Sequence, residues 1–368
     1  MLIVLLAISA CSGSDSSLDS SPIRVAVAAP MTGDNAQDGL GFYQAAILQA
    51  EVWNTRGGVL GRPVEIVPFD DLGSMEEGAA VAELIAADPT IMGVVGHFSS
   101  GVAMAASHIY EENQIVNISP SATNPNFGAG QNYIFRNNTV IRSEASAALD
   151  IAAELGFSRV GILSVATVWG ERTSEIVLEL LEQNYDMVLT GHEELDESTT
   201  DFIPAITSLH NMGSEVIICV SMYDVLAPFA IQYTRFNPNI QIIGFSNVNT
   251  YNLITLGGPA VEGVRFPTAF FSGSPHLPVQ WFVQEYFERF GEIPNTLTAQ
   301  AFDSTGMILQ AIEDAGGTDD RGAIRHALAN IRYYGVTGRP PTRFTQDGDV
   351  IREFARVVVQ NGAFVLAD

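Results

Sequence analysis

Short, unbroken apolar runs alternate along the chain with longer stretches in which apolar positions recur every three or four residues. The first pattern predicts buried strands, the second amphipathic helices. Strands are expected at Arg24–Ala29, Val64–Phe69, Ile91–Val95, Ile115–Ile118, Val160–Val165, Met187–Gly191, Val216–Ser221, Ile240–Ile243 and Gly263–Phe266. Helices are expected at Leu40–Asn54, Glu76–Ala87, Ser143–Leu155, Gly170–Gln183 and Asp201–Asn211, the last with Asp201 as N-cap and Gly213 as terminator. Strand–helix–strand repetition with continuous apolar strands predicts parallel, doubly wound sheets, since such strands are covered on both faces. The rhythm runs through two cycles, residues 22–140 and 141–267. The remaining segment holds helical patterns at Val279–Phe290 and Ala299–Ala315. It ends in β-like runs, Thr342–Thr345 and Phe354–Val359, around the turn Gln346-Asp347-Gly348-Asp349. A tail too short to be a domain must complete the other two. The chain therefore crosses between them, which predicts a hinged two-lobe α/β molecule with a cleft.

The chemistry concentrates between Gly93 and Pro125. There a predicted strand ends in Ser99-Ser100-Gly101, a helix follows, and the next strand ends in Ser119-Pro120-Ser121-Ala122-Thr123. Hydroxyls and free amides at two strand ends of one α/β sheet make a cradle of carboxylate size. Taken alone, Ser100 and Thr123 are also ordinary helix caps.

Composition narrows the partners. The 368 residues carry a formal net charge of −25, and all 17 basic residues are arginine. No basic face for a nucleic acid is expected, because phosphate binding needs clustered cations. The acidic residues are dispersed rather than gathered in a tail. Met1–Ala10 is apolar but too short to span a bilayer, and it ends at Ile8-Ser9-Ala10-Cys11. This resembles a bacterial lipobox, with Cys11 as the lipidated residue and Ser12–Ser21 as a polar tether, although no Arg or Lys precedes the apolar run. The one other cysteine, Cys219, lies in an apolar strand, so no disulfide is expected.

Enzyme signatures are weak. His97-Phe98-Ser99-Ser100-Gly101 has the end of a nucleophile elbow but His97 in place of its leading glycine. Neither G-x-G-x-x-G after the first strand nor a lysine-bearing phosphate loop occurs, and the six histidines are scattered. No cofactor and no metal is called for.

Motifs along the chain resemble the branched-chain amino-acid group of type I periplasmic solute-binding proteins, the leucine/isoleucine/valine-binding family of ABC importers. The likeness rests on Val25–Gly33, Asn54–Arg62, Asp70-Asp71, the Gly93–Pro125 segment, Trp169-Gly170, Thr200-Asp201-Phe202, Glu262-Gly263-Val264 and Phe344–Asp349. It implies two doubly wound parallel-sheet lobes joined by a multi-strand hinge. The expected division is 1–21 as lipoprotein signal and tether, 22–140 plus 268–338 as the N-terminal lobe, and 141–267 plus 339–368 as the C-terminal lobe. It implies a non-enzymatic, extracytoplasmic lipoprotein, anchored to the membrane by its N-terminal lipid, that delivers a small carboxylate-bearing solute to ABC permease subunits. A ligand sensor of the same fold is the alternative; an α/β hydrolase is the remotest.

By the same resemblance, Ser100, Ser121 and Thr123 hold the ligand carboxylate, with Phe98 beside them. Trp169, Met222, Tyr223 and Ser246 close from the second lobe. Several positions depart from the family pattern. Asp38 stands where an aromatic often covers the ligand, Trp169 and Met222 replace tyrosines, and Ser246 replaces the acid that pairs with the ligand's ammonium group. Either Asp38 supplies that charge, or the ligand is an aromatic or aliphatic acid without an amine; Asp38 can equally be a solvated loop residue. The family's first-lobe disulfide positions fall on Gly73 and Ser99.

Overall fold

The structure, a computed structural model, describes residues 21–367 apart from 197, 238, 319 and 339–340 and the side chain of Asn184. The lipobox-like run and Cys11 lie outside the described residues.

The first sheet is built from β1 (Ile23–Ala29), β2 (Val64–Asp70), β3 (Ile91–Gly96), β4 (Val116–Ser119) and β5 (Ile134–Arg136), in the order β2-β1-β3-β4-β5, all parallel. Helices α1 (Ala36–Thr55), α2 (Met75–Ala87) and α3 (Ser100–Glu112) connect them. Then α4 (Ile141–Glu154) opens a second sheet of β6 (Arg159–Val165), β7 (Val188–Leu195), β8 (Val216–Val220), β9 (Gln241–Ile243) and β10 (Arg265–Thr268). Its helices are α5 (Val168–Asn184), α6 (Ile203–Asn211), α7 (Tyr223–Phe236) and α8 (Tyr251–Gly257). The chain returns to the first sheet as α9 (Leu277–Phe290), α10 (Thr296–Asp314) and α11 (Arg321–Ala329). A small hairpin follows, β11 (Arg343–Phe344) with β12 (Val350–Ile351), before β13 (Ala355–Gln360) pairs antiparallel with β10 and β14 (Ala363–Leu366) antiparallel with β13.

The local rules behave as expected. β3 and β8 are buried along their whole length, as parallel strands covered on both faces must be. Ser74, Ser99, Thr167, Asn295 and Asp320 cap helices with side-chain oxygens. Gly213 takes a positive φ of 76° just past α6.

Three expectations change. Asp201 is not the N-cap of α6: Phe202 is, although the Asp201 carboxylate still accepts the Ile203 N–H at 3.1 Å. The turn at 346–349 joins Arg343–Phe344 to Val350–Ile351, not to the Phe354–Val359 run, which pairs instead with β10. The stretch 341–351, grouped by sequence with the second lobe, packs Phe344 and Val350 into the core of the first, and Asp349 bridges to Arg136 at the end of β5. Unanticipated altogether is β5, whose three residues are too few to show a period.

The chain thus passes between the sheets three times, at 137–140, 269–276 and 352–354. Polar side chains knit these passages together. Arg352 donates to the Asn137 carbonyl (3.1 Å), the Asn137 side-chain oxygen (2.5 Å) and the Thr337 hydroxyl (3.0 Å). Buried Asp303 accepts from the Val336 and Thr337 amides and from that same hydroxyl, at 2.5–3.1 Å. Burial pushes the Asp303 carboxyl above its usual range, opposed by these donors and the Arg352 charge. A cavity of about 1240 Å³ lies beside this hinge, lined by Arg142, His276, Arg352 and Arg356 among others, and none of the expected ligand-binding residues faces it.

Candidate functional site

In a parallel α/β sheet, ligands gather outside the carboxyl ends of the strands, where loops turn into helix N-termini. All the expected residues occupy that edge of one sheet or the other. Asp38 is in the first turn of α1; Phe98, Ser99 and Ser100 join β3 to α3; Ser121 and Thr123 follow β4. In the second lobe Trp169 opens α5 after β6, Met222 and Tyr223 open α7 after β8, and Ser246 begins a short 3₁₀ turn after β9.

Within the first lobe the two hydroxyl loops touch. Helix capping at α3 falls to Ser99, whose hydroxyl accepts the Val102 N–H at 3.3 Å. That frees Ser100, whose Oγ accepts the Thr123 and Asn124 amides at 3.2 and 3.3 Å across the gap between loops. Ser121 is a tie rather than an open donor. Its Oγ donates to the Phe98 carbonyl (2.5 Å) and the His97 carbonyl (3.3 Å), its amide donates to Ser119 Oγ (3.4 Å), and its carbonyl accepts from Asn138 (3.0 Å). The half-buried Phe98 ring tilts against Phe42 at 6.1 Å. Asp38 is partly buried, which pushes its carboxyl up, while a hydrogen bond from the Asn295 side chain opposes the shift.

Behind these loops stand residues that the sequence did not place in the binding site. Buried His97 spends both ring nitrogens, one at 2.6 Å from Asp71 and the other at 3.0 Å from the Tyr110 hydroxyl. Burial and the Asp71 charge push the Tyr110 phenol far up. The His97 ring therefore has no lone pair directed at a serine, as a hydrolase would require. Arg136 threads beneath the second loop, donating to the Asn124 and Phe127 carbonyls at 2.7 and 3.0 Å while paired with Asp349 at 2.7 Å. Burial lowers the Arg136 pKa, and Asp349 raises it. Asn117 ties the loop root to the Val94 and Gly96 carbonyls at 3.3 and 2.8 Å. Partners 9 to 213 residues apart leave no local pattern, so only the fold could reveal them.

The second-lobe wall is aromatic and partly open. Half-buried Trp169 meets Phe245 edge-on at 6.1 Å. Met222 is 41% exposed, and its sulfur lies 3.0 Å from the Asn247 amide nitrogen. Tyr223 is half-buried and packs against the second core. Glu144, another residue absent from the motifs, reaches the Ser246 turn: its Oε1 accepts the Ser246 N–H at 2.5 Å. Burial pushes this carboxyl up, and the Ser246 donors oppose the shift. Cys219 is buried and free, with its thiol pushed up to about 12 by burial.

Two α/β lobes, a three-passage hinge and polar loops at the carboxyl edges of both sheets define a binding protein of the hinged two-lobe class. Residues 22–363 match the family described as periplasmic binding protein, and the chain belongs to that family. A Leu/Ile/Val-binding protein homologue of Brucella suis is 26% identical over 326 residues, 84% of this chain and 86% of that protein. An amino acid binding protein of Pseudomonas aeruginosa is 28% identical over 303 residues, 81% and 80% of the two chains. The crystal structure of a putative branched-chain amino acid ABC transporter protein from Rhodospirillum rubrum superposes with a TM-score of 0.82 at 32% identity, over 94% of this chain and all of that one. The family and these neighbours are solute-binding proteins rather than enzymes.

Proposed function

We propose that the chain is the extracytoplasmic substrate-binding lipoprotein of an ABC importer and binds a small carboxylate-bearing solute, without transforming it, between its two lobes. The observation that carries the reading is the pairing of hydroxyl loops at the carboxyl ends of neighbouring strands β3 and β4, with Ser100 Oγ 3.2 Å from the Thr123 amide. Neutral donors at such loops stabilise an anion without the desolvation cost of a buried arginine pair. The relatives' names, Leu/Ile/Val-binding and amino acid binding, make α-amino acids and their amine-free counterparts the ligands to try first.

In this reading the solute docks on the first lobe through Ser100, Thr123 and the loop held by Ser121, with Phe98 and Asp38 at its margin. Trp169, Met222, Tyr223 and Ser246 then close over it. Closure shifts an open–closed equilibrium, and the closed form docks on the permease. Attachment is assigned to a lipid on Cys11, on the strength of the lipobox-like Ile8-Ser9-Ala10-Cys11; among the described residues no helix is long and apolar enough to cross a membrane. The lobes divide at the three passages, with the β11–β12 hairpin on the N-terminal lobe.

Calorimetry against a panel of amino acids, aromatic acids and aliphatic acids tests the reading. Ser100→Ala or Thr123→Val is expected to weaken the ligand that binds by about 1–3 kcal/mol each. Unchanged affinity in both variants overturns the cradle.

A further inference from the structure

We propose that His97 is the positioning residue of the carboxylate cradle: held by Asp71 and Tyr110, it fixes both hydroxyl loops so that their amides meet a carboxylate, and so sets the preference for an acid over its amide. The inference rests on the reading of the cleft as a carboxylate site and names the side chains that make that site selective.

The first observation is where His97 sits. It follows the last residue of β3 and stands directly before Phe98-Ser99-Ser100. Its ring reaches in two directions, to Asp71 Oδ2 just past β2 at 2.6 Å and to the Tyr110 hydroxyl within α3 at 3.0 Å. Asp71 is itself fastened on both sides. Its other oxygen accepts the Gly73 N–H at 2.9 Å, and its own N–H donates to the Ala29 carbonyl at the end of β1, 3.2 Å away. The His97 carbonyl meanwhile accepts from the Ser119 and Ser121 hydroxyls at 3.0 and 3.3 Å. Ser119 Oγ in turn accepts the Ala122 N–H at 3.0 Å, one residue before Thr123. One residue therefore joins the carboxyl ends of β1, β2, β3 and β4, and both cradle loops are tied to it.

The second observation is that this hub is polar where packing alone would not need it to be. His97, Asp71 and Tyr110 are each fully buried. Apolar side chains of similar volume often fill such a site at little or no loss of stability. What they do not supply is direction: a ring hydrogen-bonded at both nitrogens has one orientation, whereas apolar packing tolerates several. Direction is what a carboxylate site needs. An acid is selected over its amide by donors aimed at both of its oxygens, because the amide's NH₂ group meets one of those donors head-on. A shift of about 1 Å in the loops spoils that aim. Both ring nitrogens are spent inside the lobe, so His97 acts on the solute only through the loops it holds.

The test uses acids matched with their amides: leucine and leucinamide, benzoate and benzamide, propanoate and propanamide. Calorimetry on the wild-type chain is expected to show at least one acid bound about tenfold or more tighter than its amide, as a hydrogen bond to a charged group contributes. His97→Leu is expected to lower that ratio at least about threefold. A melting curve of the unliganded variant shows whether it is folded; if it is not, Tyr110→Phe, which removes a single hydroxyl from the hub, is expected to lower the ratio at least about twofold. A role in stability alone moves the melting temperature and leaves the ratio where it was. A ratio unchanged in the folded variant therefore overturns the assignment, and the cradle still stands. A wild-type chain that binds acid and amide equally overturns the cradle and the inference with it, as does one that binds none of the six compounds.

Discussion

Glu144 shows how one buried side chain couples stability to pH. Its carboxyl is raised above the ordinary 4.5, mainly by burial. The native protein therefore holds this proton at a pH where the unfolded chain has released it. Its contribution to stability is largest below the unfolded pKa and falls as pH rises toward the native value. Glu144→Gln removes the titration while keeping an oxygen for the Ser246 N–H. The unliganded variant is expected to gain in melting temperature over wild type as pH rises from about 4 to about 7. A difference that stays constant across that range would show that Glu144 does not titrate abnormally. His97 illustrates the opposite case. It is a residue that reads as chemically active in sequence, yet both ring nitrogens are taken by Asp71 and Tyr110.

At the scale of elements, the first turns of α1 and α5 are pressed onto the strands that precede them. A Cβ on Gly39 would lie 1.9 Å from the Pro30 carbonyl oxygen, and one on Gly170 would lie 2.0 Å from that of Val165. Each glycine adjoins an expected ligand-facing residue, Asp38 or Trp169. Backbone cannot yield as a side-chain tip can, so Gly170→Ala must move the start of α5 and Trp169 with it. Urea unfolding is expected to show a loss of about 1–3 kcal/mol. Gly101→Ala in α3, whose nearest neighbour would be the Met75 sulfur at 3.5 Å, is expected to be neutral or stabilising in the same measurement. Equal losses in the two variants would refute the close-approach explanation.

For the whole molecule, the decisive feature is the polar hinge. Asp303 on α10 and Arg352 just before β13 share the Thr337 hydroxyl, while Arg352 clasps Asn137 on the first passage. Asp303→Ala leaves the Val336 and Thr337 amides without acceptors and the Arg352 charge without its acid. Denaturant titration is expected to show a loss of about 3–5 kcal/mol. A loss below about 1 kcal/mol would mean that the network is incidental.

By itself the sequence determined most of the architecture. Strands such as Val216–Val220 were legible because burial on both faces demands an unbroken apolar run, and the helices because their period and caps are local. The two hydroxyl loops were legible for the same reason, since each is a contiguous string. The tertiary structure alone decided what those strings do. It assigned capping to Ser99 and the contact between loops to Ser100, and moved the β11–β12 hairpin to the first core. It also set Arg136 and His97 behind the loops and brought Glu144 to Ser246. These are meetings of residues far apart in the chain. Each depends on where the sheets bring strand ends together, and no local spacing records it.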